Sequence, residues 1–120
     1  MHLGQLRYRF GGQPSSIAFD RENNLLYVAD MAHQAILIKS IEDKQSSGSV
    51  NEVVSENNQG MPFIGPNSIV ISLNLSIQYT SRLDALFFTD SGPFGETSNE
   101  NPRGSVYMFE IDSHQPKALA

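Results

Sequence analysis

Cysteine is absent from all 120 residues of the chain. Without a thiol there is no disulfide framework, no thiolate nucleophile and no cysteine-ligated zinc or iron–sulfur centre. The same absence leaves the compartment open, since secreted and cytosolic chains both do without cysteine. Tryptophan is missing as well. Basic residues are scarce: 8 Lys and Arg stand against 13 Asp and Glu, for a formal net charge of −5 and a pI near 5.0. Phosphate-backbone binding needs clustered Lys and Arg, so nucleic acid is a poor partner for this chain. No apolar run approaches the length of a membrane span. Met1 is followed by His2, Gly4, Gln5 and Arg7 rather than by the apolar core of a signal peptide, which makes the cytoplasm the default expectation. Helical periodicity is lacking too, and Asp43 to Asn51 is too polar and too rich in Ser and Gly to hold a helix.

What is present is a set of short aromatic and β-branched runs broken by turn residues. Most of the seven Phe and four Tyr fall in them, and the hydrophobic fraction of 39% suits one small globular domain or part of a larger one. Ile17-Ala18-Phe19 leads into the polar cluster Asp20 to Asn24, then Leu25 to Asp30, then Ala35 to Ser40. Two such runs joined by an Asx-rich turn predict a hairpin. Val50, Val53 and Val54 mark a weaker fourth strand. The second half has the same rhythm: Asn67 to Ile71, Ala85 to Asp90, and Ser105 to Ile111. In the last run Val106, Met108 and Glu110 fall on one face, and Tyr107, Phe109 and Ile111 on the other.

The halves also align residue by residue. Pro14-Ser15-Ser16-Ile17 matches Pro66-Asn67-Ser68-Ile69 at an offset of 52, and Leu26 to Asp30 matches Leu86 to Asp90 at an offset of 60. The 8-residue difference falls between the first two strands of the second unit, in Ser72 to Arg82. Units of about 40–50 residues with four short strands each are the sequence signature of β-propeller blades. The expected fold is therefore all-β, a partial propeller over residues 1–120, with a first four-stranded antiparallel blade at 11–55 and a second at 64–120. A starting strand is expected near Leu6 to Phe10, and Gln115 to Ala120 reads as the beginning of an outer strand. Two blades leave edges and faces uncovered, so the chain is expected either to be a fragment or to associate with copies of itself.

Pro14 to Ser40, with Ala32-His33-Gln34-Ala35-Ile36, resembles an NHL repeat. Gly65-Pro66-Asn67-Ser68 followed by Leu86 to Gly92 is similar to a blade of the senescence-marker/gluconolactonase-like propellers. Phe88-Thr89-Asp90, a long loop, then Arg103-Gly104-Ser105-Val106-Tyr107 resembles strictosidine-synthase-like proteins. Together the resemblance runs from about Pro14 to Ala120. It implies a ring of roughly six blades, of which this chain has material for about two. Relatives on this fold include lactonases, esterases, a synthase and pure binding proteins, so the resemblance does not fix the activity.

By that resemblance, Ser15 and Asn67 line a central channel. Asn67 matches a family position that ligates a divalent cation, typically Ca²⁺, while Ser15 stands where the family has a metal-binding Glu. Read from the residues alone, Asn67 is equally an Asn shaping the turn after Pro66. Asp30 and Asp90 end the second strand of each unit and read as architectural carboxylates that accept N–H bonds from the following turn. His33 is either an acid–base partner of Asp30 or a loop residue that packs between blades or faces solvent. His2 and His114 carry no motif. The loop from Ser91 to Gly104 is 14 residues long, beyond an ordinary hairpin turn. In it Phe94 offers an aromatic wall to a ligand, and Glu96, Glu100 and Arg103 offer polar contacts to a ligand or to each other. No Ser–His–Asp arrangement, phosphate loop or His-x-x-x-His pair is present.

Two functions remain open. One is a piece of a calcium-dependent lactonase, esterase or strictosidine-synthase-like enzyme acting on a small organic molecule, with ligand contacts from Asn67, Phe94, Glu96 and Arg103. The other is a non-catalytic NHL-type scaffold that binds protein. Either way the isolated chain is expected to be inactive, because a site ringed by blades cannot form from two.

Overall fold

A computed structural model describes residues 11–41, 50, 52–77, 81–91, 98–100, 102–111 and 115–118. Every regular element among them is a strand, so the all-β expectation holds. The strands are β1 (Pro14–Asp20), β2 (Leu25–Asp30), β3 (Ala35–Ser40), β4 (Glu52–Val54), β5 (Pro66–Ile77), β6 (Ser81–Asp90), β7 (Ser105–Glu110) and β8 (Gln115–Ala118). They form two four-stranded antiparallel sheets in simple sequential order, β1-β2-β3-β4 and β5-β6-β7-β8. Leu6 to Phe10, most of Asp43 to Asn51, Phe94 and Glu96 lie outside the described residues.

Turn chemistry sets the first hairpin. The Asp20 carboxylate accepts the N–H groups of Glu22 and Asn23, and its second oxygen accepts the Asn23 amide at 2.7 Å. Asn24 closes the turn at a φ of 52°, a left-handed conformation that Asn tolerates better than most residues. Between β2 and β3 the Met31–Gln34 turn closes with Gln34 at a φ of 54°.

The repeat extends to hydrogen-bond register. Pro14 pairs with Asp30 and Pro66 with Asp90, and a bulge follows each proline. After the bulge Ile17 pairs with Val28 and Ile69 with Phe88. The 8 extra residues of the second unit do not form a loop. They lengthen β5 and β6 to 12 and 10 residues, against 7 and 6 in β1 and β2, and add the pairs Leu75↔Leu83 through Ile77↔Ser81 past a second bulge.

Paired residues share a sheet face, so register decides how the sheets stack. One face of the first sheet carries Ala18, Tyr27, Ala29, Ile36 and Ile38. It packs on the face of the second sheet that carries Ile69, Phe88, Leu86, Tyr107 and Phe109. These are not equivalent faces. Phe88 is the counterpart of Val28, which points to the opposite side of the first sheet from Tyr27. The sheets therefore stack front to back, like successive copies of one unit, rather than front to front as in a symmetric sandwich. Phe63, from the connection between the sheets, fills the core between Phe88 and Tyr107, each ring centroid 5.1 Å away. Tyr107, Phe109 and Ile111 are buried and Val106 is exposed, as the alternation in that run predicts.

Candidate functional site

Front-to-back stacking brings the first strands of the two units, β1 and β5, side by side. Ser15 Oγ donates to the carbonyl oxygens of Asn67 at 2.8 Å and Pro66 at 3.3 Å. It also lies 3.2 Å from the Ala29 carbonyl. Ser16 Oγ accepts the Ile69 N–H at 3.3 Å. The bulges after Pro14 and Pro66 present these groups, because each turns the strand out of regular pairing. The two serines thus join the units, and Ser15 has its hydroxyl committed to backbone. Asn67 is exposed beside this junction.

A calcium ion takes about six to eight oxygen ligands, with carboxylates supplying the charge. Asn67 brings one neutral amide, the Ser15 hydroxyl beside it is engaged, and the nearby Asp30 and Asp90 carboxylates are buried against backbone N–H groups. On these residues alone the donor set does not fit Ca²⁺, and among the described residues no group of three or more His, Cys, Asp or Glu is gathered as a metal site.

Asp30 and Asp90 are both buried, at 0% and 2% exposure. The Asp90 carboxylate accepts the N–H groups of Ile64 and Gly65, at 2.7 to 3.0 Å. Asp30 Oδ1 accepts Gln13 N–H at 3.0 Å and His33 N–H at 2.9 Å. So each Asp ties down the segment that leads into its unit's first strand, one or two residues before Pro14 or Pro66. Asp30 also accepts from the turn that follows it, as expected, whereas the residues that follow Asp90, 92–97, lie outside the described residues.

His33 does meet Asp30, with Nδ1 at 3.2 Å from Oδ1. Gly12 lies so close over the pair that a Cβ there would collide with His33 Nδ1 and both Asp30 oxygens. No sequence signal marked Gly12, since the pair it covers forms only on folding. Burial works to raise the Asp30 pKa, but the N–H groups of His33 and Gln13, then the His33 ring, hold the carboxyl below the ordinary carboxylate value. A depressed pKa contributes stability that is complete above the unfolded-chain value of about 3.9 and is lost as pH falls through the lower folded value. The gap in Tm between the native chain and Asp30→Asn should therefore narrow as pH drops below about 4. Thermal melts from pH 7 into acid would measure it, and a gap that stays constant would refute this role for Asp30.

Glu100 and Arg103, from the long loop, are exposed. A shallow apolar depression of about 200 Å³ lies on the outer face of the second sheet, lined by Ser68, Val70, Phe87, Thr89 and Val106 among others. No apolar pattern singled it out beforehand, because Val70 and Phe87 read simply as strand residues.

No family model, curated protein or solved structure matches the chain.

Proposed function

We propose that the chain is two consecutive blades of a β-propeller of the gluconolactonase-like and strictosidine-synthase-like kind. Its ligand is a small organic molecule, bound once further blades or further copies surround the axis. The front-to-back stacking of two equivalent sheets, with first strands side by side, is the observation that carries this reading. Radial repetition of such a unit generates a channel lined by first strands. Asn67 then stands exposed at the channel wall as this segment's contribution to the ligand site. A cation there would need carboxylates from other blades, so no calcium-dependent step is assigned to these residues. The isolated two-blade chain is catalytically silent on this reading.

Hydrolysis of a lactone and an aryl ester, followed across the size fractions of the chain, is the test. Activity is expected only in assembled fractions, with Asn67→Ala lowering kcat/KM there by at least about tenfold. An assembled form that hydrolyses neither substrate and shows no calcium-dependent shift in Tm would reject the enzyme reading.

A specific observation favours the second reading, a non-catalytic NHL-type scaffold. The polar groups at the junction engage backbone groups: Ser15 carbonyl oxygens, Asp30 and Asp90 N–H groups. A scaffold needs no more of them than that. Under this reading Asn67→Ala leaves protein-partner capture unchanged.

A further inference from the structure

The outer face of the second sheet is uncovered. Val70 is 62% exposed and Val106 43%, and Phe87 is only half-buried. Their counterparts in the first sheet are Ala18, Ile36 and Tyr27, all part of the core beneath the second sheet. At the other end of the stack Ile17 is 64% and Phe19 42% exposed. Their counterparts, Ile69 and Ile71, are the residues that seat β5 on the first sheet. The chain thus carries one half of its internal junction in open form on the second sheet, and at the other end the β1 part of the matching half. The middle of the outer face of the first sheet is different: Val28, Ala35 and Leu37 are already buried, so the open half there is β1 itself.

The polar part of the junction is duplicated in the same way. Ser15 and Ser16 join the two units within the chain, and their counterparts Asn67 and Ser68 are exposed. An Asn amide donates as a Ser hydroxyl does, and Ser68 is identical to Ser16.

We propose that a second copy of this chain seats its β1 on the open face of the second sheet, repeating head to tail the junction that joins the two sheets within one chain. Ile17 and Phe19 of the incoming copy cover Val70, Phe87 and Val106. Asn67 Nδ2 donates to the incoming Pro14 and Ser15 carbonyl oxygens, and Ser68 Oγ accepts the incoming Ile17 N–H. The two open halves sit at opposite ends of one molecule, so they meet only between molecules. Such a contact is heterologous and adds copies until the rotation per copy closes a ring. The proposal rests on the stacked-unit reading of the fold and not on the ligand reading of Asn67.

Sedimentation velocity on the whole chain over a wide concentration range tests it. The native chain is expected to gain mass with concentration beyond a dimer. Val70→Asp and Ile17→Asp should each weaken association by at least tenfold, because each puts a charge into one half of the contact. Mixed together, these two variants should recover a dimer and nothing larger, since one intact half remains on each. Both positions are exposed, and circular dichroism with a melt checks that the variants fold. Val70→Ser and Ile17→Ser replace any that do not. Asn67→Ser restores the hydroxyl found at Ser15, so it should keep assembly while removing the amide a ligand would use. A native chain that stays monomeric at every concentration would overturn the proposal. So would dissociation by Val70→Asp with no effect of Ile17→Asp, which marks a face-to-face dimer.

Discussion

Phe88→Ala is expected to lower the unfolding free energy by about 3–5 kcal/mol, the range for truncating a buried Phe. The ring is 1% exposed, stacks on Tyr107 at 5.3 Å and meets Phe63 edge-on at 5.1 Å. Truncation removes the transfer energy of the ring, leaves a cavity between the sheets, and breaks two aromatic contacts. Collapse to fill that cavity is restricted. Apart from Phe63, the core residues beside it sit on paired strands, and no single strand can move in to fill the space without breaking ladder bonds. For a small domain holding about 5–15 kcal/mol in total, the loss approaches the threshold of folding. Urea titration gives the number from the midpoint and slope. Val70→Ala on the open face of the same sheet is the control, and should cost less than about 1 kcal/mol because Val70 is 62% exposed. Equal costs at the two positions would mean that the sheets do not pack on the Phe88 face.

Asp90→Ala should cost nearly as much, about 2–4 kcal/mol, for an electrostatic rather than a packing reason. Its carboxylate is the acceptor for Ile64 N–H and Gly65 N–H in a site that is 2% exposed. Removing it leaves two donors without that acceptor where water does not readily reach, and the penalty of an unsatisfied buried group exceeds the value of the bond lost. Those donors also hold the turn into Pro66, so β5 loses its anchor at the end nearest the junction with β1. Asp90→Asn retains one carbonyl oxygen and should recover about half of the loss. Denaturant melts of the three proteins decide the matter. An Asp90→Ala chain as stable as the native one would show that these bonds do not restrain the turn.

The strands were legible because aromatic and β-branched runs alternate with Asx-rich turns, and periodicity of 2 survives even in a short strand. The pairing of equivalent registers was legible in the repeated Pro-x-Ser-Ile and aromatic-x-x-Asp patterns. Ser72 to Arg82 shows the limit. As sequence it is only an insertion, because a hairpin lengthens on backbone bonds that leave no residue signature. Phe63 was missed for a related reason: it lies in a connection, next to Gly65 and Pro66, where no period marks it as core. The site was less legible than the fold. The repeat gives Ser15 and Asn67 equivalent positions, but their direct contact is a side chain on a backbone carbonyl, which no residue pattern encodes. Asp30 and Asp90 were recognisable as architectural, yet each also binds the segment that precedes its unit's first strand, far back in sequence.

Front-to-back stacking is the claim on which the functional reading and the assembly proposal both depend. Nuclear Overhauser contacts from the Tyr27 ring measure it most directly. The Tyr27 and Phe109 centroids lie 6.4 Å apart, with the rings edge to face, so a strong contact between their ring protons is expected. A symmetric sandwich would instead bring Tyr27 against its own counterpart face, giving contacts to Phe87 and Val70. Finding Tyr27 contacts to Phe109 supports stacked copies of one unit, whereas finding them to Phe87 and Val70 in their place would contradict it.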